Sequence, residues 1–133
     1  MGRRQALAAL VVALAVAGCG GKAALKPSGC VHVYFYGRDE GVTTPAQIRA
    51  VRDRLDSLRD KLVSYRFVSK RQALARMRRR HPDLVRRMPY NPFPAALEAT
   101  PGSVDYANDV VDALTPRPPG VHLVKYSRRR QRC

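Results

Sequence analysis

The chain has 133 residues, and 25 lysines and arginines against 10 acidic residues give it a formal net charge of +15. This length allows one small domain and excludes a multidomain architecture. The positive charge is almost entirely arginine, which indicates anionic partners but says nothing about the fold.

The first 18 residues predict a secretion signal. Two arginines form a cationic start, and residues 6–16 are an uninterrupted apolar run. Eleven residues at ~1.5 Å each reach about half of a ~30 Å hydrocarbon core, so the run is too short for a comfortable transmembrane helix. The signal ends in Val-Ala-Gly-Cys19, which resembles the lipobox of bacterial lipoproteins, although Leu is usual where this chain has Val. We predict lipidation of Cys19 on the outer face of the bacterial cell membrane; the alternative is an ordinary secretory leader with an incidental cysteine.

Residues 19–29 are rich in Gly, Lys, Ala, Pro and Ser and predict a flexible tether between the membrane and a domain at 30–127. Residues 128–133 form a basic tail with four arginines. Removal of the signal leaves a charge of +13. In a cytosolic protein this charge would favour nucleic acid as a partner, but the predicted location excludes that expectation. The polyanions available outside a membrane are lipid headgroups and cell-wall polymers.

Two further cysteines, Cys30 and Cys133, flank the predicted domain. The predicted compartment permits a disulfide between them. It would close a loop of about 104 residues, worth up to ~4–5 kcal/mol in the chain-entropy model. One alternative is two free thiols. Another is a zinc site in which Cys30, His32 and His122 project from neighbouring strands.

Strand and helix signals alternate along the first half of the chain. Residues 31–36 alternate in polarity and are rich in β-branched and aromatic side chains, as is typical of a strand. Thr44 with Gln47, and Ser69 with Gln72, form two capping boxes that each begin a helix. An apolar stripe at steps of three and four follows the first box, and we expect one helix to carry all of it. Its members are Ile48, Val51, Leu55, Leu58 and Leu62.

The second half of the chain completes the pattern. The second helix is expected to stop at Pro82, followed by a short helical turn at 83–88. A third helix is predicted over 104–114, with Val104, Ala107, Val111 and Leu114 on its apolar face. Further strands are predicted at 64–68, 96–100 and 121–126. The order predicts an α+β fold, a ferredoxin-like split β-α-β sheet with both main helices on one face and a small inserted helical lobe.

Alternation along the first strand divides its side chains between two faces. Positions 31, 33 and 35 are expected to face the helices. The open face would then carry His32, Tyr34 and Tyr36, with Tyr126 nearby. Aromatic rings beside arginines imitate a nucleic-acid platform, but the predicted location favours an ordinary sheet face partly covered by loops.

We expect no enzymatic activity, because the sequence has no nucleophile motif, no His-Glu-x-x-His and no phosphate-cradling Gly-rich loop. The few acids lie mostly on helix faces beside arginines, as is typical of solvated ion pairs rather than of catalytic carboxylates. No cofactor and no metal are expected.

Several segments together resemble the extracytoplasmic domain of the permease-like cell-division protein FtsX. The most specific is Asn-Pro-Phe-Pro at 91–94. The others are Val-His-Val-Tyr-Phe at 31–35, Thr-Pro-Ala-Gln-Ile at 44–48, Tyr-Arg-Phe-Val-Ser-Lys-Arg-Gln-Ala-Leu at 65–74 and Pro-Gly-Val-His-Leu-Val-Lys-Tyr at 119–126. Gln72 stands where the family often has an acid, and Phe93 where it usually has Leu. FtsX also has four transmembrane helices and a cytoplasmic ATPase partner, and we expect neither here, so only the fold and a binding role carry over.

The resemblance implies a receptor that docks peptidoglycan hydrolases or their activators through the inserted lobe, here about residues 72–90. This short insert has too few apolar side chains to bury them deeply, and we expect some to remain exposed as a contact surface rimmed by arginines. The candidates are Leu74, Met77, Leu84, Val85, Met88, Tyr90 and Phe93. The alternative role for these residues is a second small core. Alternative functions are a basic lipoprotein domain that binds anionic lipid headgroups or cell-wall polymers, and a stand-in that competes with a full-length FtsX.

Overall fold

A computed structural model describes residues 24–37, 41–128 and 133. The predicted signal at 1–18 and Cys19 lie outside the described residues. The strands are β1 (Cys30–Phe35), β2 (Leu62–Val68), β3 (Ala96–Pro101) and β4 (Val121–Ser127). The helices are α1 (Pro45–Asp56), α2 (Lys70–Arg80), α3 (Pro82–Arg86) and α4 (Val104–Ala113), with a 3-10 turn at Arg59–Lys61.

The four strands form one antiparallel sheet in the order β2-β3-β1-β4. Each β-α-β unit therefore skips one strand: β3 lies between β1 and β2, and β1 lies between β3 and β4. The predicted α+β class is confirmed, and α2 and α3 form the insert between β2 and β3. Both predicted capping boxes are present, at the starts of α1 and α2.

The hydrophobic core lies on one face of the sheet, under α1 and α4. The side chains at positions 31, 33 and 35 of β1 are buried there, so the predicted alternation of this strand is confirmed. From α4 the core receives Ala107, Val110 and Leu114. We predicted Val111 on this face instead of Val110; Val111 is only partly buried, because Val110 completes the i, i+3, i+7 row with Ala107 and Leu114.

Helix α1 is shorter than its apolar stripe. It ends at Asp56, where Ser57 caps it: the Ser57 N–H donates to the Asp53 carbonyl at 3.1 Å. Leu62 begins β2 instead of ending the helix, so the prediction of one helix through this residue is wrong. Leu62 is nevertheless buried in the core. The spacing of apolar residues therefore identified Leu62 correctly as a core residue. It did not show whether this residue reaches the core from a helix or from a strand.

Described residues ahead of the predicted domain start at residue 30 already contact the domain. The Ser28 N–H donates to the Pro101 carbonyl at 2.9 Å, and the Tyr126 hydroxyl donates to the Ser28 carbonyl at 3.0 Å. Gly29 has a φ of +81°, and any side chain there would meet the backbone of Ser127.

Tyr126 pairs with Val31 and packs against the core, so its predicted place near the open face is wrong.

A disulfide joins Cys30, at the start of β1, to Cys133, and their Cα atoms are 5.3 Å apart. Cys30 is opposite Ser127 in the register, so the bridge attaches Cys133 at the end of the sheet where β1 starts. It closes a loop with a sequence separation of 103 residues.

We predict that replacing both Cys30 and Cys133 by Ser lowers the free energy of unfolding by about 3–5 kcal/mol, because the unfolded chain loses its cross-link. Urea unfolding followed by circular dichroism measures the change. The wild type with a reductant serves as control and should match the double variant. Equal unfolding midpoints for the oxidised wild type and the double variant would contradict the structural role of the bridge.

Candidate docking site

The open face of the sheet carries a charged row beside an apolar row. Strand register aligns Arg66, Glu98, His32 and Lys125 across β2, β3, β1 and β4. The next row, one step towards the insert, consists of Val68, Ala96, Tyr34 and Leu123. The two rows together form a surface with a polar half and an apolar half.

Glu98 connects this surface to the insert. Its side chain is 8% exposed. It accepts a hydrogen bond from Arg66 Nε at 3.0 Å and another from Arg76 Nη1 at 2.6 Å. Because a buried carboxylate without partners costs several kcal/mol, the two guanidinium groups allow Glu98 to stay charged at this position. Arg76 belongs to α2, so the contact fixes that helix against the sheet.

The charges around Glu98 set the protonation states of this row. Burial raises the pKa of Glu98, but the hydrogen bonds and charges of Arg76 and Arg66 outweigh it and hold the pKa below its ordinary 4.5. Burial lowers the pKa of His32 below 6.5, and Lys125 and Arg76 lower it further, against an opposing effect of Glu98. At neutral pH the row therefore holds an ionised Glu98 and a neutral His32.

A cavity of about 250 Å³ separates α2 from the apolar row. We call it the lobe groove and define it by Tyr34, Ala73, Arg76, Met77, Arg80 and Phe93. The ring of Tyr34 stacks on His32 with centroids 5.6 Å apart. The groove combines an apolar wall with two arginines, which suits an amphipathic segment with acidic residues.

Asn91 positions Phe93 on this groove. Its side-chain amide donates to the Lys70 carbonyl at 2.9 Å, and its Oδ1 accepts the Phe93 N–H at 3.0 Å. The start of α2 is thereby tied to the segment that leaves the insert. The prolines at 92 and 94 restrict φ on either side of the phenyl ring.

The predicted contact residues divide into three groups. Met77 and Phe93 line the lobe groove. Leu84 and Tyr90 are 46% and 48% exposed. Val85 is buried, and Leu74 and Met88 are partly buried. The insert thus has a small interior as well as an exposed surface, and no residue of α2 is fully buried.

The structure does not bring the candidate zinc ligands together. Cys30 is in the disulfide and lies opposite Ser127, at one end of the sheet. His122 lies near the start of β4, at the other end. Within residues 24–37, 41–128 and 133, no group of three or more His, Cys, Asp or Glu side chains could hold a metal ion.

Comparison with family models adds the deciding observation: the model of the FtsX extracellular domain matches residues 30–130. The chain belongs to this family. No curated protein matches the chain. The FtsX extracellular domain is a non-catalytic, extracytoplasmic and membrane-associated domain related to cell division. Among the described residues, no helix is long and apolar enough to cross a membrane.

Sequence reasoning missed Glu98, whose carboxylate accepts hydrogen bonds from both Arg66 and Arg76. The available signal was a lone acid between the apolar residues Leu97 and Ala99 in a predicted strand, with Arg66 at an alternating position of another strand. Adjacency of these two strands follows from the split-sheet order, but their register does not. Arg76 was expected only as one of the arginines that rim the contact surface, and its bond to Glu98 depends on the angle at which α2 crosses the sheet.

We predict that Glu98→Gln lowers the free energy of unfolding at pH 7 by about 1–3 kcal/mol, the value of charge-assisted hydrogen bonds lost at a buried site. Because the folded pKa is depressed, the contribution is complete above 4.5 and is lost as the pH falls through the lowered pKa. Urea unfolding at pH 7 and pH 3 measures both effects. Asp53→Asn, on the exposed side of α1, makes the same charge change and should have little effect. A Glu98→Gln deficit of equal size at both pH values would contradict the assignment.

Proposed function

We propose that this FtsX-type domain is a lipid-anchored receptor that docks an envelope protein, such as a peptidoglycan hydrolase or its activator, in the lobe groove. The observation that carries the proposal is the groove itself. Met77, Phe93 and Tyr34 form an apolar wall in a cavity between the insert and the sheet. Arg80 is exposed beside it and would form part of a charged rim. Apolar anchors within a charged rim are typical of protein interfaces.

The direction of the strands supports a partner bound at the end of the domain that is farther from the proposed lipid anchor. β1 begins at Cys30, and β2 and β3 contact the insert at their opposite ends, Val68 and Ala96. Six residues of strand span about 20 Å. A chain anchored by a lipid on Cys19 would enter the domain at the Cys30 end of the sheet. The insert, at the opposite end, would then face away from the bilayer. This orientation favours a wall-associated partner over the headgroups of the anchoring membrane.

The charge of the insert supports an acidic partner. Residues 70–90 contain eight lysines and arginines and one acid, Asp83. Asp83 is itself paired with Arg86. Such a field accelerates encounter with an anionic surface and weakens with salt. The same charge favours the second candidate function, binding of an anionic cell-wall polymer, for which an apolar groove is unnecessary.

We predict that replacing Met77 and Phe93 by Ser abolishes docking while the domain stays folded, because both side chains lie outside the main core. A photo-crosslinking residue at position 80, on the rim, should capture in intact cells a protein that cleaves peptidoglycan or activates such an enzyme. The same probe in the Met77 and Phe93 double variant should capture none of it. Val63→Ser, which changes a 41% exposed apolar side chain at the opposite end of β2, is the matched control and should leave capture unchanged.

Salt separates the two candidate functions. Groove docking should persist at 0.5 M NaCl, whereas polymer binding should fall steeply. Capture that is lost with salt and unaffected by the double variant would contradict groove docking and support the polymer.

We predict that Cys19→Ser abolishes labelling by a fatty-acid analogue and releases the protein from the membrane fraction. Cys30→Ser is the control, since it removes a cysteine elsewhere and should leave labelling intact. Equal labelling of wild type and Cys19→Ser would show that the lipobox-like sequence is incidental.

A further inference from the structure

A second cavity of about 250 Å³ lies between α2 and the edge strand β2. We call it the arginine cavity and define it by Arg66, Gln72, Arg76 and Arg79, which line it together with apolar atoms of both elements. It shares only Val68 and Arg76 with the lining of the lobe groove. The arginine cavity is therefore a separate site on a neighbouring face of the same helix.

The three guanidinium groups exceed the negative charge available to them. Glu98 accepts from Arg66 and from Arg76, so one carboxylate serves two cations. Among the described residues Arg79 has no ion-pair partner. Arg66 also donates from Nη2 to a main-chain oxygen of Cys133. Like charges lining one cavity repel each other, and its side chains carry two more positive than negative charges, an excess that an added anion would reduce.

Gln72 adds an oriented neutral donor. Its Oε1 accepts the Ser69 N–H at 2.8 Å in the capping box of α2. This bond assigns the oxygen of the amide to the helix start and leaves the Nε2 group free to donate at the cavity wall. The capping box therefore fixes a donor that would rotate on an ordinary surface glutamine.

We propose that the arginine cavity binds a phosphate group. A carboxylate has two oxygens, and Glu98 already provides these to Arg66 and Arg76. Arg79, the Gln72 amide and the remaining guanidinium N–H groups present more donors, in more directions, than a second carboxylate accepts. A tetrahedral oxyanion offers three or four oxygens and up to two charges, which matches this donor set. The phosphate belongs to a cell-wall phosphodiester polymer, to a lipid headgroup or to a small solute.

Titration of the mature protein in neutral detergent with inorganic phosphate, at constant ionic strength set with chloride, tests the site. We expect saturable binding by calorimetry or by amide chemical shifts. Arg79→Gln should weaken it about tenfold, the value of one charge-assisted hydrogen bond. Arg78→Gln removes the same charge one position away, outside the cavity lining, and should change it less than about twofold.

A second pair of variants separates the site from general loss of charge or of fold. Gln72→Glu keeps a capping box but places a carboxylate at the cavity, and it should abolish phosphate binding without lowering stability. Gln47→Glu makes the same change in the capping box of α1, away from the cavity, and should bind phosphate almost as the wild type does.

The ligand arms identify the source of the phosphate. An oligomer of glycerol phosphate and vesicles containing phosphatidylglycerol are tested against the same variants, and binding of either that depends on Arg79 but not on Arg78 supports the proposal. Equal loss in Arg79→Gln and Arg78→Gln, absence of saturation, or acetate competing as well as phosphate would overturn it. The Met77 and Phe93 double variant should bind phosphate normally, so failure of groove docking and failure of this site are distinguishable.

Discussion

The antiparallel pairing of β1 with β3 at the centre of the sheet is the constraint on which the rest of the structure depends. Its register buries positions 31, 33, 97 and 99 on one face and places His32 opposite Glu98 on the other. A slip of one residue would exchange the two faces of a strand. It would put a carboxylate into the core under α1 and α4 and remove the acceptor that holds α2. One register thus specifies both the core and the attachment of the insert.

Polar contacts help to hold the insert against the rest of the domain. Helix α2 has no fully buried residue, so little apolar area fixes its position. Arg76 to Glu98 and Asn91 to Lys70 supply directional bonds instead. Directional bonds leave apolar side chains such as Met77 available at the surface, where a core-packed helix would have buried them. The groove and its arginines are therefore a consequence of attaching the helix by hydrogen bonds and not by burial of its apolar side chains.

Much of the fold was predictable from local patterns, because those patterns act locally. The two capping boxes, the alternation in β1 and the proline that ends α2 each concern a few neighbouring residues. The end of α1 was missed because Leu62 fits both a helical stripe and a strand. Val110 was missed because the apolar face of a helix is broad, so that either Val110 or Val111 fits beside Ala107 and Leu114. Glu98, Arg66 and Arg76 come from three separate elements, and only the register and the helix angle bring them together.

The position of the insert has a mechanical consequence. The chain enters β1 at Cys30, and the insert is attached to the opposite ends of β2 and β3. A pull between the N-terminal end and a molecule held by the insert is therefore directed along the strands. Hydrogen bonds in an antiparallel ladder lie perpendicular to the strands, so such a load shears many of them together instead of opening them singly. The sheet is consequently a stiff link that transmits force with little extension.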